Sequence, residues 1–275
     1  MRELSFFKMS GSGNDFVVVD VRAHQIPQLT EAETIRALCA RGTGIGADGL
    51  VLLDVAPGVD FRMVYYNADG SRASMCGNAA LCCTRLATEL GGPNSRDLVF
   101  ETDAGRMKGR IRDGMPEIDL TPMTLVVDEA AIRPEPGEQR IGFAVAGVPH
   151  LTVLCEDVER VQLDRRGRSL RLDPAVMPDG ANANFVSKAG QSGVWDMRTF
   201  ERGVEGETLA CGTGAVASAV LLTRWGVGKS PVSVRTRSGL TLTVRLSRSQ
   251  DAWLPSLSGE GRIVFEGLGR ELTRA

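Results

Sequence analysis

The chain has 275 residues, of which 43% are hydrophobic and 24% are charged, and its formal net charge is −2. This composition is typical of a soluble globular protein, and the lack of a basic run or stripe argues against nucleic-acid binding. No window approaches the roughly 18 uninterrupted apolar residues of a membrane span, and charge interrupts the N-terminal apolar run too early for a signal peptide. We therefore expect a cytoplasmic protein that binds neither membrane nor nucleic acid.

Metal and cofactor sites are not indicated either. The six cysteines lack the paired spacing of zinc ligands, and the only histidines are His24 and His150. No lysine stands in the apolar context that suits a Schiff base with pyridoxal phosphate. We expect no metal and no cofactor, and cysteines that stay reduced as thiols.

The first half of the chain is predicted to be rich in short strands. These are expected at residues 4–8, 16–21, 50–54 and 61–66, with a hairpin at 98–111 that turns at Ala104-Gly105. A helix is predicted at 30–41, with Thr30 as its N-cap and Glu33 three residues later. The turn at 11–15 contains two glycines but lacks the spacing of a dinucleotide-binding fingerprint.

The second half repeats this scheme from Pro122 onward. Strands are expected at 141–146, 151–154 and 194–200, with a hairpin at 232–245 that turns at Ser238-Gly239. Residues 147–150 are predicted to form a loop. The arginine-rich segments 106–112 and 165–171 are predicted to be solvated faces of strands or loops.

One cysteine stands where a helix is expected to begin. Cys211 follows a glycine-rich turn and precedes Gly212, Gly214 and a run of small and apolar residues up to Leu222. The first turn of a helix presents unpaired backbone N–H groups and the positive end of the helix dipole, which favour a thiolate and can bind a carboxylate. Thiols at such positions have pKa values lowered to about 3.5–7.5, so Cys211 is a candidate base.

An earlier segment repeats this pattern. Cys76 is followed by Gly77 and by a helical pattern that ends at Gly91, as Cys211 is followed by Gly212 and a pattern that ends at Gly226. The sequence therefore indicates two copies of one unit, each with a cysteine at the start of a helix.

From these patterns we predict an α+β fold of two pseudo-symmetric domains, each with antiparallel strands wrapped around a central helix and with the active site in the cleft between them. The predicted domains are 1–121, which carries Cys76, and 122–261, which carries Cys211. A C-terminal strand at about 262–275 is a candidate to return to the first domain.

Seven motifs in order along nearly the whole chain resemble the diaminopimelate epimerase family. They are Phe7-Lys8-Met9 with Gly13-Asn14-Asp15-Phe16, Asn67-Ala68-Asp69-Gly70-Ser71, Cys76-Gly77-Asn78, Pro149-His150, Asn182 to Phe185, Glu201-Arg202-Gly203, and Glu207 to Gly214. The resemblance implies a cofactor-independent isomerase of lysine and peptidoglycan precursor biosynthesis that converts LL-diaminopimelate to the meso form. It also implies a small amino-acid substrate as the partner, and we leave the oligomeric state open with a homodimer as a candidate.

The resemblance further implies roles for individual residues. Cys76 and Cys211 would be the acid and base, since inversion of an α-carbon needs one on each face. The other implied site residues are the backbone of Gly77, Asn78, Gly212 and Thr213 at the reacting carboxylate, Asn14, Asn67, Asn182 and Arg202 at the distal end, and His150 and Glu201 near the cysteines.

Four departures from the family pattern affect recognition of the substrate and leave the two cysteines intact. Val148 stands where many members have asparagine, Gly49 where some have glutamine, and Ala79 and Leu81 replace glycine and arginine, while Glu205 resembles an insertion. Two alternatives therefore stay open. One is a racemase of another amino acid on the same fold, and the other is a non-catalytic amino-acid sensor in which the two cysteines form a thiol switch.

Overall fold

The computed structural model describes residues 3–91, 97–190 and 193–270. The chain folds into two compact units. Unit 1 consists of Met1–Ile118 and Gly259–Ala275, and unit 2 consists of Asp119–Ser258. Each combines many short strands with two helices in its described part, so the predicted α+β class is confirmed.

The elements of unit 1 alternate between single helices and groups of strands. In chain order they are β1 (Glu3–Gly11), β2 (Asn14–Asp20), α1 (Ala32–Cys39), β3 (Gly49–Asp54), β4 (Phe61–Asn67), β5 (Arg72–Ala73), α2 (Gly77–Glu89), β6 (Leu98–Thr102), β7 (Gly105–Arg112) and β8 (Met115–Asp119).

Unit 2 begins with one additional short strand and then repeats the order of elements of unit 1, and the last strand of the chain belongs to unit 1. The elements are β9 (Val126–Val127), β10 (Glu138–Ala146), β11 (Val148–Cys155), α3 (Leu163–Arg171), β12 (Asn182–Lys188), β13 (Val194–Glu201), β14 (Gly206–Thr208), α4 (Gly212–Arg224), β15 (Val232–Arg235), β16 (Thr241–Ser249), β17 (Ala252–Ser258) and β18 (Arg262–Arg270).

Strand pairing is mixed in both units, which corrects the prediction of antiparallel strands. In unit 1, β2 is parallel to β3 and β4 is parallel to β6, and in unit 2, β11 is parallel to β12 and β13 is parallel to β15. Antiparallel pairs such as β1 with β2 and β10 with β11 complete each sheet. Parallel neighbours need a long crossover, and the four helices lie in these four connections.

The helices that follow the two cysteines are the buried centres of their units. α4 buries every residue from Gly214 to Leu222 and α2 buries most of its first three turns, as expected of helices that are apolar all round. Both have 13 residues and lead to a glycine with positive φ, which is Gly91 at 91° and Gly226 at 73°. No helix in the described part of the chain is long and apolar enough to cross a membrane.

Three local predictions are wrong. Pro27 starts a 3₁₀ turn (Pro27–Thr30), so α1 begins later, with Glu31 as its N-cap, while the Thr30 hydroxyl donates to the Pro27 carbonyl. Residues 148–150 belong to β11, because Gly147 alone, at φ 73°, makes the turn from β10.

The segment 165–171 lies in helix α3, and Arg166 is buried there against Glu138. The charge of this segment suggested a solvated face, whereas Leu163, Gly167 and Leu170 give the helix a buried side. Of the strand expected at about 262–275, residues 262–270 form β18, which pairs with β1, and residues 271–275 lie outside the described part.

Candidate active site

Cys76 and Cys211 occupy the N-cap positions of α2 and α4. Both have extended backbone, with φ and ψ of −137° and 120° at Cys76 and −130° and 104° at Cys211. The carbonyl of each accepts the first helical hydrogen bond, from Ala80 at 2.9 Å and from Ala215 at 3.0 Å. Each sulfur is therefore attached at the positive end of a helix dipole, where negative charge on a thiolate is stabilised.

In unit 1, the amide of Asn14 joins the first turn of α2 to the β2–β3 sheet. Asn78 Nδ2 donates to Asn14 Oδ1 at 2.7 Å, and Asn14 Nδ2 donates to Asp48 Oδ2 at 2.9 Å. Arg41 in turn donates to Asp48 at 2.8 Å. This series of hydrogen bonds fixes the orientation of the Asn14 amide.

Asn67 and Gly49 are register partners at the ends of β4 and β3. Asn67 Nδ2 donates to Ser71 Oγ at 3.0 Å within the polar turn that follows. A Cβ on Gly49 would lie 2.6 Å from the Tyr65 ring and 2.5 Å from the Tyr66 carbonyl. This chain thus has no room for a side chain at position 49, because Tyr65 and the backbone of β4 fill that space.

In unit 2, His150 lies in a strand and its side chain is fully buried. Asn184 Nδ2 contacts His150 Nδ1 at 3.2 Å and donates to the Leu151 carbonyl at 2.9 Å, and Asn184 Oδ1 accepts from the Thr199 hydroxyl at 2.9 Å. Gly214, in the first turn of α4, has no room for a Cβ, which would collide with Asn184 Oδ1 and lie 3.2 Å from Cys211 Sγ. The amide of Asn184 therefore packs directly beneath the cysteine helix.

Asn182, Glu201 and Arg202 lie at the ends of β12 and β13, next to that network. Asn182 Oδ1 accepts from the Arg202 backbone N–H at 2.8 Å, and Arg202 Nη1 donates to the Asp179 carbonyl at 3.1 Å. Glu205 adopts a φ of 57° and accepts from Arg171 Nε at 3.1 Å. The residue that resembles an insertion is thus tied to α3 by an ion pair.

Burial shifts the pKa values of two groups in this region in opposite senses. Desolvation lowers the pKa of His150 to about 3, and the positive charge of Arg202 acts in the same direction. Desolvation raises the pKa of the Glu201 carboxyl above its ordinary value of 4.5. Both shifts favour the uncharged form, so His150 is a neutral imidazole at physiological pH.

The two cysteine helices rest on sheet faces of different chemistry. By strand register, Phe16 in unit 1 corresponds to His150 in unit 2, and Tyr65 corresponds to Thr199. Phe16 and Tyr65 form an edge-to-face pair with centroids 6.0 Å apart. The repeat therefore places an aromatic pair in unit 1 where unit 2 has a buried polar network.

Sequence reasoning assigned no role to Asn184, Thr199, Asp48, Tyr65 and Gly214. Alternation could have found the first, because Asn182 and Asn184 share one face of β12. The others depend on strand partners distant in sequence. Among the described residues, no group of three His, Cys, Asp or Glu side chains has the arrangement of a metal site.

The family model for diaminopimelate epimerase matches residues 6–126 and 143–254 of this chain. The chain belongs to the diaminopimelate epimerase family. The diaminopimelate epimerase of Gemmatimonas aurantiaca is 47% identical over 96% of this chain and 98% of its own length, and that of Aquifex aeolicus is 41% identical over 96% and 97%. Membership of the diaminopimelate epimerase family makes the protein an isomerase and confirms the resemblance seen in its motifs.

Solved structures share the fold at lower identity. A phenazine biosynthesis protein of the PhzF family from Bacillus anthracis matches with a TM-score of 0.72 and 14% identity, covering 98% of this chain and 99% of its own. A hydroxyproline epimerase from Agrobacterium vitis matches with a TM-score of 0.66 and 19% identity, covering 98% and 91%. At these identities, the likeness shows a shared fold over 98% of this chain and nothing about activity.

Proposed function

We propose that this protein converts LL-2,6-diaminopimelate to meso-diaminopimelate, without metal or pyridoxal phosphate, as a cytoplasmic step of lysine and peptidoglycan precursor synthesis. The supporting observation is a pair of cysteines, each the N-cap of a buried 13-residue helix, in a chain of the diaminopimelate epimerase family. The family supplies the substrate, and the cysteine positions support the chemistry.

The proposed reaction exchanges one proton for another at the α-carbon. The thiolate of one cysteine takes the α-proton from one face, and the thiol of the other gives its proton to the opposite face, so the two residues end with exchanged protonation states. The reverse reaction restores them. Because the two cysteines exchange protonation states in the reaction, they titrate as a coupled pair, and their apparent pKa values belong to the pair.

The helix N-termini support the second requirement, which is stabilisation of the carbanion-like transition state. Backbone N–H groups at Gly77 and Asn78 and at Gly212 and Thr213 would donate to the reacting carboxylate. Most residues of α2 and α4 are buried, which favours donors that are oriented before the reaction.

Recognition of the distal end is assigned to Asn14, Asn67, Asn182 and Arg202. All four make hydrogen bonds through their side chains, such as Arg202 to the Asp179 carbonyl and Asn182 Oδ1 from the Arg202 N–H. The guanidinium has five N–H donors, so a carboxylate can still be bound by two of them. His150 and Glu201 are proposed to support the reaction centre from unit 2.

The deciding experiment is incubation of the reduced protein, without added cofactor, with LL-diaminopimelate in deuterated water. We expect deuterium at the α-carbon and formation of the meso isomer, both followed by NMR. Exchange with another amino acid and none with diaminopimelate would favour the alternative racemase, to which Val148 and Glu205 point. Lack of exchange with any amino acid would overturn the enzymatic proposal and favour the sensor.

Matched cysteine variants test the two-thiol mechanism. Cys76→Ala and Cys211→Ala should each lower kcat by about 10² to 10⁴, the contribution of a general acid or base. Cys39→Ala is the control, because Cys39 is a free thiol, buried like Cys211, but lies at the end of α1. Near-normal turnover by either of the first two variants would refute the mechanism. Light scattering of the same samples would test the candidate homodimer.

A further inference from the structure

The amide of Asn184 has its orientation fixed by one partner that can only accept a hydrogen bond. The Leu151 carbonyl can only accept, and it lies 2.9 Å from Asn184 Nδ2. The opposite end of the amide, Oδ1, accepts from the Thr199 hydroxyl at 2.9 Å. A flipped amide would place two oxygens against each other at Leu151, so the NH₂ group must face Leu151 and His150.

This orientation decides the tautomer of His150. The second N–H of Asn184 points to His150 Nδ1 at 3.2 Å, and a ring nitrogen that accepts a hydrogen bond carries no proton. Neutral imidazole has one N–H, which must then be on Nε2. His150 is fully buried, and among the described residues Nε2 has no hydrogen-bond partner.

The Nε2–H donor belongs to the sheet face that carries the cysteine helix. Thr152 is two residues from His150 in β11, so the two side chains share one face of the strand. The hydroxyl oxygens of Thr152 and of Ser218 in α4 are 3.2 Å apart, so this face is turned toward that helix. Asn184 packs against Gly214 in the first turn of α4, whose N-cap is Cys211. His150 therefore lies toward the end of the helix at which negative charge is stabilised.

We propose that Asn184 is a positioning residue that holds His150 as the neutral Nε2–H tautomer, so that His150 serves the reaction as a hydrogen-bond donor and neither gives nor takes a proton. A buried donor without a protein acceptor suits a ligand that brings negative charge, here the amino-acid substrate or the thiolate. The proposal rests on the proposed function only for its effect on turnover. The state of the ring can be observed in the protein alone.

The charged and titratable groups around His150 agree with a neutral ring. Arg202 from the end of β13 lowers the pKa of His150, and the positive dipole end of α4 also opposes an imidazolium. Glu201 on β13 and Cys211 on α4 are the nearby groups that could become anionic. Burial raises the pKa of Glu201, which weakens its support for a charged ring near neutral pH.

The first test is NMR of the unmodified protein labelled with ¹⁵N in its histidines. The only other histidine, His24, is exposed and provides an internal control. We expect His150 to keep a non-protonated Nδ1 and a protonated Nε2 between about pH 5 and 8, the range in which a histidine usually changes charge. Titration of His150 in that range, or a proton on Nδ1, would overturn the proposal whatever the enzymatic activity.

The second test changes the group that sets the tautomer. In Asn184→Asp the carboxylate can only accept a hydrogen bond, so His150 Nδ1 should become protonated. The kcat should fall by about 10- to 100-fold with a smaller change in KM, which is the usual effect of losing a partner that orients a functional histidine. Thr199→Val is the matched control, because it removes a hydrogen bond to the same amide but leaves both N–H donors. It should keep the Nε2–H signal. Loss of the Nε2–H signal in Thr199→Val, or an Nδ1 that stays non-protonated in Asn184→Asp, would refute the assignment.

Discussion

Gly214 and Asn184 are in such close contact that the amide oxygen of Asn184 occupies the place of a Gly214 Cβ. One residue is in the first turn of α4 and the other is on β12, so this contact holds the N-terminus of the cysteine helix against the sheet. The contact also explains a glycine inside a helix, where it normally costs about 1 kcal/mol relative to alanine.

Gly214→Ala should therefore destabilise the protein despite the better helix propensity of alanine. We expect a loss of about 1–3 kcal/mol, the usual cost of overpacking, because Asn184 is fully buried and held by three hydrogen bonds. Urea unfolding followed by circular dichroism measures it. Gly206→Ala is the control, since a Cβ there would meet open space. An unchanged or raised stability in Gly214→Ala would contradict the expected clash.

Glu201→Gln should stabilise the protein at neutral pH. The pKa of Glu201 is raised in the fold by burial, so its stabilising contribution is present below its ordinary pKa of 4.5 and is lost as pH rises through the folded value. The variant avoids this loss, and its advantage should disappear below about pH 4.

Glu207→Gln should change stability at neutral pH in the opposite direction. For both variants, the measurement is the free energy of unfolding as a function of pH. A two-pronged contact from Arg198, at 2.7 and 3.0 Å, lowers the pKa of Glu207. Its contribution is present above the ordinary pKa and is lost as pH falls, so the variant should be less stable at pH 7. Effects of the same sign in both variants would show that the pKa directions are wrong.

Arg166 and Arg165 are neighbours in α3, and their ion pairs should contribute different amounts to the free energy of unfolding. Arg166 is bound to Glu138 at 2.7 Å with both side chains nearly buried, whereas the Arg165 side chain is 61% exposed. Arg166→Ala should cost about 3–5 kcal/mol, because it leaves Glu138 buried without its partner. Arg165→Ala should cost less than about 1 kcal/mol. Equal unfolding midpoints for the two variants would be inconsistent with the burial of Arg166.

Alkylation of the folded protein should distinguish the thiols. Burial raises the pKa of Cys39 to about 11 and that of Cys155 to about 12, and the pKa values of Cys82 and Cys83 are also raised. Cys76 is partly exposed at a helix N-terminus, so iodoacetamide should modify it first.

A time course of peptide mass spectrometry measures this order, and unfolding in urea should make all six cysteines reactive. Modification of Cys39 or Cys155 as fast as Cys76 in the folded protein would contradict it. Cys211, which is 7% exposed, should react later than Cys76.

Local sequence patterns were sufficient for the repeat, for the two helices that begin after Cys76 and Cys211, and for most strands. Each of these depends on residues close in the chain, such as the glycine before a small-residue helix or the alternation within a strand. The same patterns also carried the resemblance to the family. They did not distinguish the buried Arg166 from its exposed neighbours, because its partner Glu138 lies 28 positions away in the chain.

Only the tertiary structure decided the parallel pairing of β11 with β12, and with it the environment of His150. That pairing places His150 opposite Asn182 and Thr152 opposite Asn184, across a connection that contains α3. Its free energy comes from contacts between residues more than 30 positions apart, which no local pattern reports. The sequence alone thus indicated the candidate residues, and long-range packing determined that His150 is buried in a strand and not part of an exposed loop.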